Sequence, residues 1–131
     1  MVKLRYLLDT NICIYLMEER PAEVIARFAK CITGEVALSS ITWAELCCGM
    51  DTCNEKDDMV ALFGRLSPRE FDMKAAEIFG KLSQQFPNRK NSFDRMIAAH
   101  AISLGVALVT NNTADFEIYK EAGLRVENWA S

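Results

Sequence analysis

Four carboxylates stand where an oxygen-only cation site could form. Asp9 ends an apolar run, Glu45 lies one turn into a helix-like stretch, Asp94 opens another, and Asp115 follows Thr110-Asn111-Asn112. Gathered in one cleft, four acids repel, and their pKa values climb unless cations neutralise them. Hard divalent ions such as Mg²⁺ or Mn²⁺ take oxygen ligands. Two such ions ~4 Å apart can activate water and stabilise the leaving oxygen of a phosphodiester. Carboxylates flanked by Asn and Thr, with no Cys or His set at metal-ligand spacing, fit that chemistry. Each acid also has a plain structural reading. Thr42-x-x-Glu45 has the form of a capping box. Asp94 would complement a helix dipole, Asp115 would cap a short helix, and Asp9 before Thr10-Asn11 would form a turn. The occurrence of all four at the ends of elements favours the site.

Other chemistries find less support. His100 is the single histidine and lies on an apolar stripe, so it reads as a packed, hydrogen-bonded residue, and Ser–His or Cys–His nucleophilic catalysis is not indicated. Cys13, Cys31, Cys47, Cys48 and Cys53 read as reduced, small core residues. No Gly-rich phosphate loop is present, and Trp43 and Trp129 read as packing residues. Lys81, Arg89, Lys90 and Arg95 cluster around the stretch leading into Asp94. They would present cations to a phosphate backbone beside the acids, or simply form a solvated basic face. An Asp9 nucleophile of a haloacid-dehalogenase-type phosphatase would need a second Asp two positions on, where Asn11 stands.

The elements that must position these residues follow from the apolar pattern. Leu4–Leu8, Val36–Leu38, Val106–Val109 and Leu124–Val126 read as short buried strands. Between them, Ile12–Glu18, the stretch from Pro21 to Ile32, Thr42–Met50, Met59–Leu66, Asp72–Phe86 and Phe93–Leu104 read as helices, with a short one around Asp115–Glu121. Pro21 suits a first turn, while Gly34 and Gly105 suit helix ends. Ser39, Ser40 and Ser92 offer helix caps, and Ser67-Pro68 reads as a helix stop. Alternating strands and helices, with strands apolar throughout, predict an α/β fold. Its centre would be a parallel sheet of four to five short strands with helices on both faces. Ligands in such folds bind beyond the carboxyl ends of the strands, where Asp9, Ser39–Glu45 and Thr110–Asp115 fall.

Composition agrees with this architecture. The 131 residues are half apolar and a quarter charged, as expected of one soluble globular domain spanning 1–131. Fifteen Lys and Arg against eighteen Asp and Glu leave a net charge of −3, which argues against nucleic-acid binding by bulk charge. The same balance is compatible with a nucleic-acid enzyme whose acidic site is neutralised by metal ions. No targeting segment and no apolar stretch of ~18 residues is evident, so a cytoplasmic protein with no membrane partner is expected.

Four stretches in order resemble those of PIN-domain proteins, specifically the VapC toxin ribonucleases of bacterial toxin–antitoxin pairs. Leu7-Leu8-Asp9-Thr10-Asn11-Ile12 is similar to their opening motif and Ser39-Ser40-Ile41-Thr42-Trp43-Ala44-Glu45-Leu46 to the second. Phe93-Asp94-Arg95-Met96-Ile97-Ala98-Ala99-His100-Ala101 is similar to the third. Leu108-Val109-Thr110-Asn111-Asn112-Thr113-Ala114-Asp115-Phe116 is similar to the fourth, and Glu127-Asn128-Trp129 to the close. The resemblance spans the chain. It departs before the third acid, where Pro87-Asn88-Arg89-Lys90-Asn91-Ser92 replaces a Gly-Pro-Ile-Gly-like loop.

The resemblance implies a PIN-like three-layer fold and a Mg²⁺- or Mn²⁺-dependent endoribonuclease cutting structured RNA such as a tRNA anticodon loop. Asp9, Glu45, Asp94 and Asp115 would be the metal-binding, catalytic acids. Thr10, Asn11, Thr110 and Asn112 would support them, and Lys81, Arg89, Lys90 and Arg95 would contact RNA. It further implies a homodimer, a small VapB-type antitoxin, and operator DNA bound through that antitoxin. The competing expectation is a catalytically inactive PIN-like module that only binds RNA or protein.

Overall fold

The computed structural model describes residues 2–49, 57, 60–62, 64–66, 68–87 and 92–130. Arg89, Lys90, Cys53, Met59, Phe63 and Ser67 lie outside them, as does the side chain of Ser92. Five strands form one parallel sheet: β1 (Tyr6–Leu8), β2 (Val36–Ser39), β3 (Pro68–Arg69), β4 (Ala107–Val109) and β5 (Arg125–Glu127). Their order is β3-β2-β1-β4-β5, with Leu8 level with Leu38 on one side and Val109 on the other. The helices are α1 (Thr10–Glu18), α2 (Ala22–Ala29), α3 (Ser40–Gly49), α4 (Met73–Gln85), α5 (Ser92–Leu104) and α6 (Thr113–Phe116). A 3₁₀ turn at Glu117–Ala122 follows, and residues 60–62 and 64–65 are also helical.

Both sheet faces are covered, which is why the central strands β1 and β4 are apolar and buried at every position, whereas the edge strands β3 and β5 carry Arg69, Arg125 and Glu127. Tyr6, Leu8, Val36, Leu38 and Val109 face one core, filled by Ile12, Leu16, Val24, Phe28, Leu46 and Trp129. Leu7, Ala37 and Leu108 face the other, filled by Leu82, Ile97, Ala101, Phe116 and Tyr119. The three layers expected from the sequence are therefore present. Arg27 joins α2 to the first face: its guanidinium lies over the Tyr6 and Trp129 rings and donates to the Tyr6 hydroxyl at 2.8 Å.

Some boundaries differ from the sequence reading. Pro68–Arg69 forms a two-residue edge strand beside Leu38–Ser39, where Ser67-Pro68 reads only as a helix stop. Proline is tolerated there because an edge strand leaves one side of its backbone unpaired. Helix α2 ends at Ala29, and Ile32 is 60% exposed rather than part of its buried face. Gly105 behaves as expected. At φ +70 it closes α5, with its own N–H to Ile102 O and the Val106 N–H to Ala101 O. That pattern is a Schellman stop, and it turns the chain directly into β4.

Arg95 requires a correction. It is not a surface cation but is buried at 7% exposure, donating to the Phe86 carbonyl at 2.9 Å and to Ser83 Oγ at 3.1 Å. It fastens the end of α4 to the start of α5. Its sequence neighbourhood is basic, but its helical phase points it inward. Lys81 is exposed on α4 and free of that constraint on its position. Arg95→Met should therefore lower the free energy of urea unfolding by about 1–3 kcal/mol, because it strands a buried carbonyl. Lys81→Ala should change it by less than about 0.5 kcal/mol.

Candidate functional site

All strands point the same way, so one edge of the sheet collects their carboxyl ends. Asp9 follows β1 there. Its N–H continues the ladder to Val109 O at 2.9 Å, and its side chain caps α1 by accepting from Thr10 N at 2.8 Å. Thr110 follows β4 at the same level and donates its hydroxyl to Asp9 Oδ2 at 2.8 Å. That hydroxyl also accepts the Asn112 N–H at 3.0 Å. Asp9, 6% exposed, thus caps a helix rather than forming the turn expected from Thr10-Asn11, and the cap and the candidate metal ligand are the same residue.

Glu45 lies one turn into α3, which begins directly at the end of β2. Its Oε1 accepts the Thr10 hydroxyl at 2.8 Å. Thr10 therefore serves two acids, with its backbone N–H on Asp9 and its hydroxyl on Glu45. The capping-box alternative for Thr42 and Glu45 is not formed. Helix α3 starts at Ser40, Ser39 Oγ caps it by accepting from Ile41 N at 3.0 Å, and Glu45 is engaged with Thr10. Thr42 is buried, and its hydroxyl oxygen has no partner among the described residues. It stands three residues before Glu45, on the same side of the helix.

Asp115 is exposed in the first turn of α6, and its charge is felt at Asp9. It is not the cap of that helix, since Asn112 holds the cap position without a side-chain bond. Asp94 is half-buried in the first turn of α5. Because α5 runs back to the amino end of β4, its own start lies at the carboxyl edge with the other acids. Among the described residues, no three His, Cys, Asp or Glu side chains stand close enough to enclose an ion unaided. An ion at this edge would have to complete its shell with water, as Mg²⁺, which commonly takes one or two carboxylates and keeps several waters, is able to do.

The electrostatics follow from burial. Desolvation pushes the Asp9 carboxyl above its ordinary value; the Thr110 and Thr10 hydrogen bonds oppose this, and the Asp115 charge adds to it. Glu45 is also raised, first by burial and further by Asp9, with the Thr10 hydroxyl opposing. Cys13, buried one turn below Asp9, has its thiol pushed far up by burial and then by the Asp9 charge, so it stays protonated and inert. Cys13, Cys31, Cys47 and Cys48 are free thiols. His100 is buried as expected, with its pKa lowered chiefly by desolvation.

One part of the rim was not singled out from sequence. Asn111 donates to the Tyr15 hydroxyl at 2.7 Å and accepts from Asn11 Nδ2 at 3.5 Å, tying α1 to the segment after β4. The four-residue spacing of Asn11 and Tyr15, which puts them on one helix face, was the available signal. Asn112 contributes its backbone N–H to Thr110, and its side chain is exposed.

Glu45→Gln keeps an acceptor for Thr10 while removing a charge that burial and Asp9 both oppose. Without metal it should raise the urea midpoint at pH 7. A raised folded-state pKa destabilises above that pKa, and the penalty vanishes as the acid protonates. The gain should therefore shrink as the pH falls through the interval just above the ordinary glutamate value of 4.5. A lower midpoint at pH 7 would contradict this.

Comparison with known proteins places the chain. The PIN domain family model matches residues 6–121. The chain is 35% identical to the "tRNA(fMet)-specific endonuclease VapC" of Shigella flexneri, over 97% of this chain and 99% of that protein. It is 37% identical to "Ribonuclease VapC2" of Haemophilus influenzae, over 96% of this chain and 98% of that protein. Among solved structures, DNA-bound VapBC from Salmonella typhimurium superposes with a TM-score of 0.82 at 32% identity, covering 96% of this chain and 98% of its own. VapBC-1 from nontypeable Haemophilus influenzae gives 0.81 at 28% identity, covering 98% and 100%. With a family model over most of its length and relatives matched almost end to end, the chain belongs to the PIN-domain family and, within it, to the VapC group.

Proposed function

We propose that this protein is the ribonuclease toxin of a toxin–antitoxin pair and cleaves structured RNA with the help of Mg²⁺ or Mn²⁺. The observation that carries the reading is the joined arrangement of Asp9, Thr10, Glu45 and Thr110 at the carboxyl edge of the sheet. Two acids raised by burial and by a neighbouring carboxylate, Asp115 for Asp9 and Asp9 for Glu45, gain from a nearby cation. Asp9 and Glu45 would hold the ion, with Asp94 and Asp115 completing an oxygen-only set that suits a hard metal. When bound, such an ion supplies Lewis acidity and lowers the pKa of water next to a phosphodiester.

The chain's own residues do the positioning. Thr110 fixes one Asp9 oxygen and Thr10 the other, so the carboxylate cannot rotate. Thr10 then sets Glu45 against Asp9. Asn11 and Asn111 offer amides at the rim, where an unstacked base would pass. Lys81 supplies an exposed cation for the RNA backbone, and Arg89 and Lys90, outside the described residues, extend that role in this reading.

A tRNA substrate is supported by the relative named a tRNA(fMet)-specific endonuclease. A VapB-type antitoxin is supported by neighbours that are VapBC complexes, and operator binding through it by those bound to DNA. A homodimer belongs to the same reading. Among the described residues, no helix is long and apolar enough to cross a membrane.

Purified antitoxin-free protein, incubated with total and transfer RNA, should yield discrete fragments with Mg²⁺ and none with EDTA. Asp9→Asn should lower the cleavage rate by more than about 100-fold, the upper figure for losing an outer-sphere partner. Metal-independent cleavage, or full activity in Asp9→Asn, would contradict the reading. RNA binding without turnover would instead indicate the inactive binding module. Thr110→Val, which removes only the hydroxyl that steadies Asp9, should cost about 10–100-fold in kcat, measured in the same assay.

A further inference from the structure

His100 is a buried ionisable side chain that the reading above does not use. It is 1% exposed, in α5, six residues beyond Asp94. Its Nδ1 lies 2.7 Å from Ser39 Oγ, and Ser39 Oγ accepts the Ile41 N–H that opens α3. A backbone hydrogen bond to Glu70 holds the ring from another side, and the Phe71 ring meets it edge-on at 5.7 Å. The Phe71 N–H in turn donates to Ser40 Oγ at 3.0 Å. A neutral imidazole donates from one nitrogen only. With the Glu70 carbonyl taking that proton, Nδ1 accepts from the Ser39 hydroxyl.

We infer that the His100–Ser39 pair is a positioning device, locking the start of the Glu45 helix to the helix that carries Asp94. The two acids sit on helices tied to different strands, α3 following β2 and α5 preceding β4, and those strands flank β1 on opposite sides. The pair is a direct side-chain link between α5 and the cap of α3, and it is dry, so it holds with little competition from water. Its geometry would fix the separation of Glu45 and Asp94 before any ion arrives. The inference rests on the metal-nuclease reading, and deepens it by naming residues that set metal affinity without touching metal.

The test is Mn²⁺ binding to the antitoxin-free protein, read from the electron paramagnetic resonance signal of free Mn²⁺, alongside circular dichroism and melting. Ser39→Ala and His100→Leu should each weaken Mn²⁺ binding by about 10–100-fold, as loss of outer-sphere orientation does. His100→Asn, which keeps an acceptor near the Nδ1 position, should stay within about threefold of wild type. The double variant Ser39→Ala/His100→Leu should be no weaker than the worse single variant, because both break one link. Folded Ser39→Ala with unchanged Mn²⁺ affinity would overturn the inference while leaving the metal-nuclease reading intact. So would fully additive losses, or a His100→Asn variant as weak as His100→Leu. Absence of Mn²⁺ binding by the wild-type protein would overturn both.

Discussion

A carboxylate buried at the end of a central strand is the constraint around which the molecule is arranged. Asp9 is desolvated and raised in pKa, yet it is held in place by two donors from chain positions far apart. Thr110 reaches it from the neighbouring strand across 101 residues of sequence. That bond requires β1 and β4 to be adjacent, parallel and in register, with Leu8 level with Val109. A slip of one residue would turn the strand's side chains to the other face and strand the acid in a core. The register of the central pair and the geometry of the site are the same fact.

The rest of the fold supplies the helices that this edge needs. Each crossover returns the chain from a carboxyl end to an amino end, so helices that follow a strand start at the site. Helices α1 and α3 do so, carrying Thr10 and Glu45. Helix α5 begins there because it precedes β4. Positive helix starts facing the edge soften the cost of collecting acids. Arg95 and the Arg27 stack do the mechanical fastening farther away, one on each face.

Much of this was legible in the residues. Apolar central strands announced a sheet buried on both faces, and the acids fell at strand and helix ends where such a sheet binds ligands. Gly105 marked the end of α5 because a left-handed residue was needed there. Other features were hidden for physical reasons. The two residues of β3 are too few to show a period and contain a proline. Arg95 sits in a basic stretch, and only the packing of α4 on α5 decides that it points inward. The dual service of Thr10 depends on a contact 35 residues away, which no local pattern encodes. The likeness to VapC proteins came from ordered motifs, and the comparisons bear out that family and the three-layer α/β fold.

The account stands on the claim that the acids at the carboxyl edge share a divalent cation. Anomalous diffraction from a crystal soaked in Mn²⁺ tests it most directly. The account predicts a peak about 2.0–2.2 Å from an Asp9 carboxylate oxygen, with Glu45, Asp94 or Asp115 close enough to bind directly or through water. A well-diffracting crystal with full Mn²⁺ exposure and no anomalous density at Asp9 would contradict it.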